Sequence, residues 1–191
     1  MNLAVIGSGG REHAICYKLK QSTKIKKLFC IPGNAGTKKF AKNIKLDLSK
    51  FNSLYKVFRK EKVDLVIIGP EQPLVNGLVD YLNKKNIKVF GPNKFASQLE
   101  GSKAFMKKLC KKMNIPTANF GIFNNFKNAS KFIKKNKLPI VVKADGLASG
   151  KGVTICYSIK DALKNTKEIL DGKFKTSKKV IIEQFLKGEE L

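Results

Sequence analysis

The sequence predicts an α/β protein: a doubly wound parallel sheet over residues 1–101, followed by a smaller α+β unit. Three observations carry this. Strand-like and helix-like segments alternate from the N-terminus. The strand-like segments are apolar almost throughout, as suits parallel strands covered on both faces. The first of them runs straight into a glycine turn and then a helix, the junction at which α/β sheets gather anions.

Residues 2–6 form a short apolar run ending at Gly7 and read as a strand; residues 12–21 follow as a helix and residues 27–31 as a second strand. In residues 51–60 the apolar side chains of Phe51, Leu54, Val57 and Phe58 recur at i, i+3, i+6 and i+7, one stripe of an amphipathic helix. Residues 63–68 are a strand, 74–84 a helix and 87–90 a strand. Residues 102–113 read as a helix with Ser102 as N-cap, ended by Asn114-Ile115-Pro116. The second unit then runs helix 128–135, strand 140–143, a glycine loop, strand 153–156, helix 160–170 and strand 180–184. The expected organisation is a first domain at 1–101, a connecting helix and hinge at 102–120, a small unit at 121–187, and the start of a further segment at 188–191.

Composition narrows the chemistry. With 42% hydrophobic residues in 191, the chain has ample material for a core. No run approaches the ~20 apolar residues of a membrane span, and Met1 and Asn2 lead directly into a strand, so no membrane partner is expected and the cytoplasm is the expected compartment. Cys16, Cys30, Cys110 and Cys156 lack zinc-site spacing and are expected as buried free thiols. With His13 as the sole histidine, neither a His-rich metal cluster nor a Ser/His/Asp triad is favoured. The net charge of +25 raises nucleic acid as a partner, but all of the 39 basic residues except Arg11 and Arg59 are lysines. Base-edge and phosphate-fork recognition leans on arginine. The excess therefore reads as solvated lysine, with no specific nucleic-acid partner.

Two glycine loops stand out. Gly7-Ser8-Gly9-Gly10-Arg11-Glu12-His13 joins a strand to a helix, but Glu12 occupies the third glycine position of a dinucleotide fingerprint. The next strand also ends in Cys30-Ile31-Pro32-Gly33-Asn34, without the expected acidic residue. NAD is disfavoured. A phosphate-bearing ligand and a plain tight turn both remain open, and Arg11, a planar fork beside the loop, favours phosphate.

The second loop, Lys143-Ala144-Asp145-Gly146-Leu147-Ala148-Ser149-Gly150-Lys151-Gly152, is not a Walker A loop: Asp145 stands where glycine is needed, and Gly152 where Ser or Thr would hold magnesium. It joins two strands, so it reads as a lid over a triphosphate, with Lys143 closing an apolar strand. A third segment, Glu183-Gln184-Phe185-Leu186-Lys187-Gly188-Glu189-Glu190, leaves the last strand with free backbone groups and carboxylates. Alone it is only an acidic strand end.

Together these strings resemble the ATP-grasp superfamily, and specifically the phosphoribosylamine-glycine ligases: GSGGREHA at 7–14, GPEQPLV at 69–75, ADGLASGKGV at 144–153 and EQFLKGEE at 183–190. The resemblance spans essentially the whole chain. It implies a pre-ATP-grasp domain followed by the ATP-grasp lid subdomain, and the ATP-dependent joining of glycine to 5-phosphoribosylamine through a glycyl phosphate, in purine biosynthesis. It casts Lys103 and Lys143 as the nucleotide-phosphate lysines and Gly146, Ser149, Gly150, Lys151 and Gly152 as the lid loop. Glu183, Phe185 and Leu186 become the adenine contacts and Glu190 the ribose carboxylate. Gly9, Gly10, Arg11 and Glu71 fall on the phosphoribosylamine side. Gln184, where the family often has Glu, is expected to point off the nucleotide because neighbouring strand residues face opposite ways. Family members run well beyond this length, and their magnesium ligands lie in the part not present, so the chain by itself is expected to be inactive. A stand-alone nucleotide-binding or regulatory module is the alternative.

Overall fold

Leu3, Ala4, Val5 and Ile6 are all buried, and this unbroken apolar run makes β1 (Asn2–Gly7) the central strand of a five-stranded sheet. The structure, a computed structural model, describes residues 1–148, 150–174 and 178–189. It divides into two compact units, Met1–Ser97 and Gln98–Leu191.

In the first unit β1 leads to α1 (Gly10–Lys20), β2 (Lys27–Pro32), a single 3-10 turn (Thr37–Lys39), β3 (Lys42–Asn43), α2 (Phe51–Lys60), β4 (Leu65–Ile68), α3 (Glu71–Val75), α4 (Leu78–Asn83) and β5 (Val89–Phe90). The strand order is β3-β2-β1-β4-β5, and every pairing is parallel. Alternate residues of a strand face opposite sides, and both sides are filled. Ala4, Ile6, Phe29, Ile31 and Val66 pack with Leu54 and Phe58 of α2 and Leu78 and Leu82 of α4. Leu3, Val5, Leu28 and Cys30 pack with Cys16 of α1 on the other side. The sheet is doubly wound. The chain leaves β1 toward β2 on one side and reaches β4 on the other, so a crevice opens at the carboxyl ends of β1 and β4.

The helix expected at 74–84 is corrected to two. The turn starts earlier, at Glu71, and Gly77 in the left-handed region (φ 92°) ends α3 before α4 begins. The two-residue strand β3 carries no periodicity to read and was not anticipated. Cys16, Cys30 and Cys156 are buried and Cys110 half-buried, all as free thiols. Cys16 and Cys30, distant in sequence, pack in the same cluster of the core, and Cys30 together with burial pushes the Cys16 thiol up.

The second unit contains α5 (Gln98–Gly101), α6 (Lys103–Lys112), β6 (Phe120–Phe123), α7 (Phe126–Lys135), β7 (Ile140–Ala144), β8 (Val153–Cys156), α8 (Ile159–Leu170) and β9 (Val180–Gln184). The helix expected as a connector, α6, belongs to this unit. Ser102 caps it as expected, its hydroxyl accepting the Phe105 N–H at 3.1 Å. The strands form an antiparallel sheet in the order β6-β9-β7-β8. One face carries Ile140, Val142, Ala144, Cys156, Val180 and Ile182, and packs with Ala129 and Ile133 of α7 and Ala162 and Ile169 of α8. Strand β6 was missed because Gly121 interrupts it; a side chain there would strike the rings of Phe123 and Phe132. Among the described residues no helix is long and apolar enough to cross a membrane.

Candidate functional site

Each unit carries one cluster of the residues singled out in the sequence. In the first unit the crevice at the strand ends holds a cavity of about 370 Å³ lined by Gly7, Gly9, Gly10, Arg11, Pro70 and Glu71, among others. Gly9 is the N-cap of α1, and its N–H donates to the Glu12 carboxylate at 2.6 Å. Glu12 is buried, and it explains two of the glycines: a Cβ on Gly7 or on Gly69 would land on its carboxylate arm. Gly9 and Gly10 are exposed at the loop surface.

Arg11 and Glu71, 60 residues apart, meet here: Arg11 Nη2 donates to Glu71 Oε1 at 2.9 Å, and Nη1 donates to the Gly69 carbonyl. The hydrogen bond to Glu71 raises the Arg11 pKa further. Glu71 is held below the usual carboxylate range by its own backbone N–H and then by Arg11. Asn34, which sequence reasoning left out, fastens the loop from the neighbouring strand end, its Nδ2 donating to the carbonyls of Ser8 (2.8 Å) and Gly9 (3.3 Å). His13 packs edge-on to Phe40 with ring centroids 5.4 Å apart.

In the second unit the site lies on the sheet face opposite α7 and α8. Residues directly opposite in a ladder share a face, and the register sets Val141 against both Ile155 and Glu183, and Lys143 against both Val153 and Ile181. Lys143 and Glu183 thus share one face, a diagonal apart, and are ion-paired through Glu183 Oε1. Gln184 lies on the other face and is exposed, as alternation requires. Val153 and Ile155 leave an exposed apolar patch on the Lys143 face.

Helix α6 supplies the rest. Lys103 Nζ donates to the Gly146 carbonyl at 3.0 Å, so it reaches the glycine loop. Asp145, at the base of that loop, accepts from the Ser102 hydroxyl (3.0 Å) and the Ala104 N–H (3.1 Å). Lys107, one turn beyond Lys103, is buried with its Nζ 2.5 Å from Glu183 Oε2 and 2.7 Å from the Thr117 hydroxyl. Neither Asp145 nor Lys107 was singled out as a site residue. The signal for Lys107 was its i+4 spacing from Lys103 on one helix face.

The loop itself turns at Gly146 (φ 87°) and Gly150 (φ 76°). It is closed by Ala144 N–H donating to the Gly152 carbonyl at 2.8 Å and by Lys151 N–H donating to the Ala148 carbonyl at 2.9 Å. Gly152 is buried and Lys151 exposed. Phe185 is half-buried and Leu186 is 61% exposed. Ser149 and Glu190 lie outside the described residues.

The chain matches two family models end to end: "Phosphoribosylglycinamide synthetase, N domain" over residues 1–100 and "Phosphoribosylglycinamide synthetase, ATP-grasp (A) domain" over residues 101–191. Among curated proteins it is 45% identical to the phosphoribosylamine–glycine ligase of Clostridium acetobutylicum and 44% identical to that of Mesorhizobium japonicum. All of this chain is covered in both cases, but only 46% and 45% of those proteins. The crystal structure of the phosphoribosylamine–glycine ligase of Thermotoga maritima superposes with a TM-score of 0.81 at 32% identity, covering 99% of this chain and 45% of that one. At 17% identity the biotin carboxylase domain of the Hydrogenobacter thermophilus 2-oxoglutarate carboxylase, solved with MgADP and bicarbonate, shares the fold over 97% of this chain and 44% of its own, with a TM-score of 0.78. Family models that account for the whole sequence, and a fold shared with a solved ligase, establish that this chain belongs to the phosphoribosylglycinamide synthetase family, spanning about half the length of the curated relatives it matches.

Proposed function

We propose that this chain is the substrate domain and nucleotide lid of an ATP-dependent carboxylate-amine ligase. On this reading the complete protein joins glycine to 5-phosphoribosylamine, giving glycinamide ribonucleotide, ADP and phosphate. The observation that carries the reading is the convergence of Lys103, Lys143 and Glu183 at one glycine loop beside an open apolar sheet face. An adenine ring needs such an apolar surface, and a triphosphate needs cations and free backbone N–H groups within reach.

The γ-phosphoryl group passes to the glycine carboxylate, and the amine of the sugar then attacks the resulting acyl phosphate, releasing phosphate. Transfer of this kind rests on positioning and neutralisation of charge. Lys143 and Lys103 neutralise the nucleotide phosphates, and the loop containing Gly146, Ser149, Gly150, Lys151 and Gly152 covers them and excludes water. Glu183 and the backbone of Phe185 and Leu186 read the adenine edge, and Glu190 takes the ribose hydroxyls. In the first unit Gly9, Gly10 and Arg11 receive the sugar phosphate, and Glu71 orients the Arg11 fork. Magnesium, which neutralises phosphate charge when bound, has its ligands in sequence beyond Leu191 on this reading. On this reading the compartment is the cytoplasm.

The test is ADP release by the complete gene product with glycine, 5-phosphoribosylamine and MgATP, each omitted in turn. Release that needs all three supports the ligase. Release indifferent to glycine rejects it. The 191-residue chain alone should bind MgADP without turnover, and full-rate turnover by it would contradict the assignment of the magnesium ligands.

A further inference from the structure

The Lys143–Glu183 pair poses a problem for the function just proposed, on which this inference rests. A lysine committed to a carboxylate has little net charge left for a phosphate. Here the carboxylate has a second partner. Each oxygen of Glu183 has its own lysine, Oε1 facing Lys143 and Oε2 facing Lys107 at 2.5 Å.

The two lysines are not equivalent. The Lys107 side chain is 6% exposed and that of Lys143 25%. Lys107 is also held by protein on every side that can be named: its Nζ meets the Thr117 hydroxyl at 2.7 Å and lies 5.6 Å from the centroid of the Phe120 ring. Enclosed in this way it has no open side for a ligand. Lys143, at the end of β7 beside the glycine loop, has one.

We infer that Lys107 is a positioning residue: its buried charge balances Glu183, so that Lys143 keeps its positive charge for a nucleotide phosphate. Two lysines and one carboxylate leave the cluster with a net charge of about +1, presented at its only exposed corner. Removing Lys107 takes the cluster to neutrality and ties Lys143 to Glu183 as sole counter-ion. A lysine buried merely to fill space beneath the sheet makes no such prediction, and a buried lysine–carboxylate pair is a poor way to gain stability.

The experiment is titration of the complete gene product with MgADP by calorimetry, alongside thermal melts of each variant. K107M should weaken MgADP binding roughly tenfold. In the E183Q background, where any loss of adenine contact is common to both proteins and Lys143 has no carboxylate to be tied to, K107M should cost little: K107M/E183Q should bind MgADP within about twofold of E183Q. An unchanged affinity in K107M, or a tenfold loss that persists between E183Q and K107M/E183Q, overturns the inference while leaving the ligase reading intact. Failure of the unsubstituted protein to bind MgADP rejects both. Should K107M not fold, K107Q, which keeps a polar group against Thr117, carries the same prediction and the same comparison in the E183Q background.

Discussion

Asp145 accepts the backbone N–H of Ala104 at 3.1 Å while its carboxylate also takes the Ser102 hydroxyl at 3.0 Å. A residue of the glycine loop therefore caps the helix that carries Lys103 and Lys107. Loop and lysines share one anchor, so the loop's base cannot shift without moving the N-terminus of α6.

D145A should cost about 1–2 kcal/mol of stability, the usual loss for a capping acceptor with a buried donor left behind. It should also raise KM for ATP in the complete protein more than it lowers kcat, because Lys103 loses its register with the loop. Chemical denaturation and steady-state kinetics check both. A D145A protein with unaltered KM would show that the anchor serves stability alone.

K143A should lower kcat/KM for ATP by about 10²-fold, the size expected for a cation that meets phosphate charge in the transition state. K134A and K135A are the controls. Both lysines are exposed in the last turn of α7, and their replacement should change kcat/KM by less than about twofold, as is usual for exposed charges. Comparable losses at all three positions would contradict the site assignment.

Local chemistry was legible in the sequence and long-range pairing was not. The Ser102 cap, the α2 stripe and the bounds of β9 follow from residues within a turn or two of one another, and the structure keeps them. The break at Gly77 was ambiguous because a glycine in a helical pattern either continues or ends the helix, and only φ decides. Among so many lysines, Lys107 gains its meaning from Glu183, 76 residues on, and Asp145 from Ser102, 43 residues back. Neither partnership leaves a trace in spacing. The Arg11–Glu71 contact was half legible: both residues were singled out, but not that they bind each other.

G69A should destabilise the protein by about 2 kcal/mol, because the new methyl group meets the buried Glu12 carboxylate and not open space. The cause is testable by coupling. In G69A/E12A the obstructing side chain is gone, so the double variant should be more stable than the sum of the single losses predicts, by about 1 kcal/mol. Additive losses in urea denaturation would place the strain elsewhere in the crevice.

The acid response of the first unit should depend on Glu71. Its pKa is depressed from an ordinary value of 4.5, first by its own backbone N–H and then by Arg11. A carboxylate depressed on folding contributes stability that is fully present above its unfolded value and lost as pH falls through the folded one. The loss therefore begins near pH 4.5 and continues below it. Its size is limited by exposure, since the side chains of Arg11 and Glu71 are 58% and 41% accessible. A pair so open to solvent contributes at most about 1 kcal/mol, and less at high salt. Stability measured by urea denaturation should separate E71Q from the unsubstituted protein at neutral pH, and the two curves should converge on acidification below pH 4.5. Curves that stay parallel through that window would mean that Arg11 holds its position through the Gly69 carbonyl alone, and that Glu71 does not orient it.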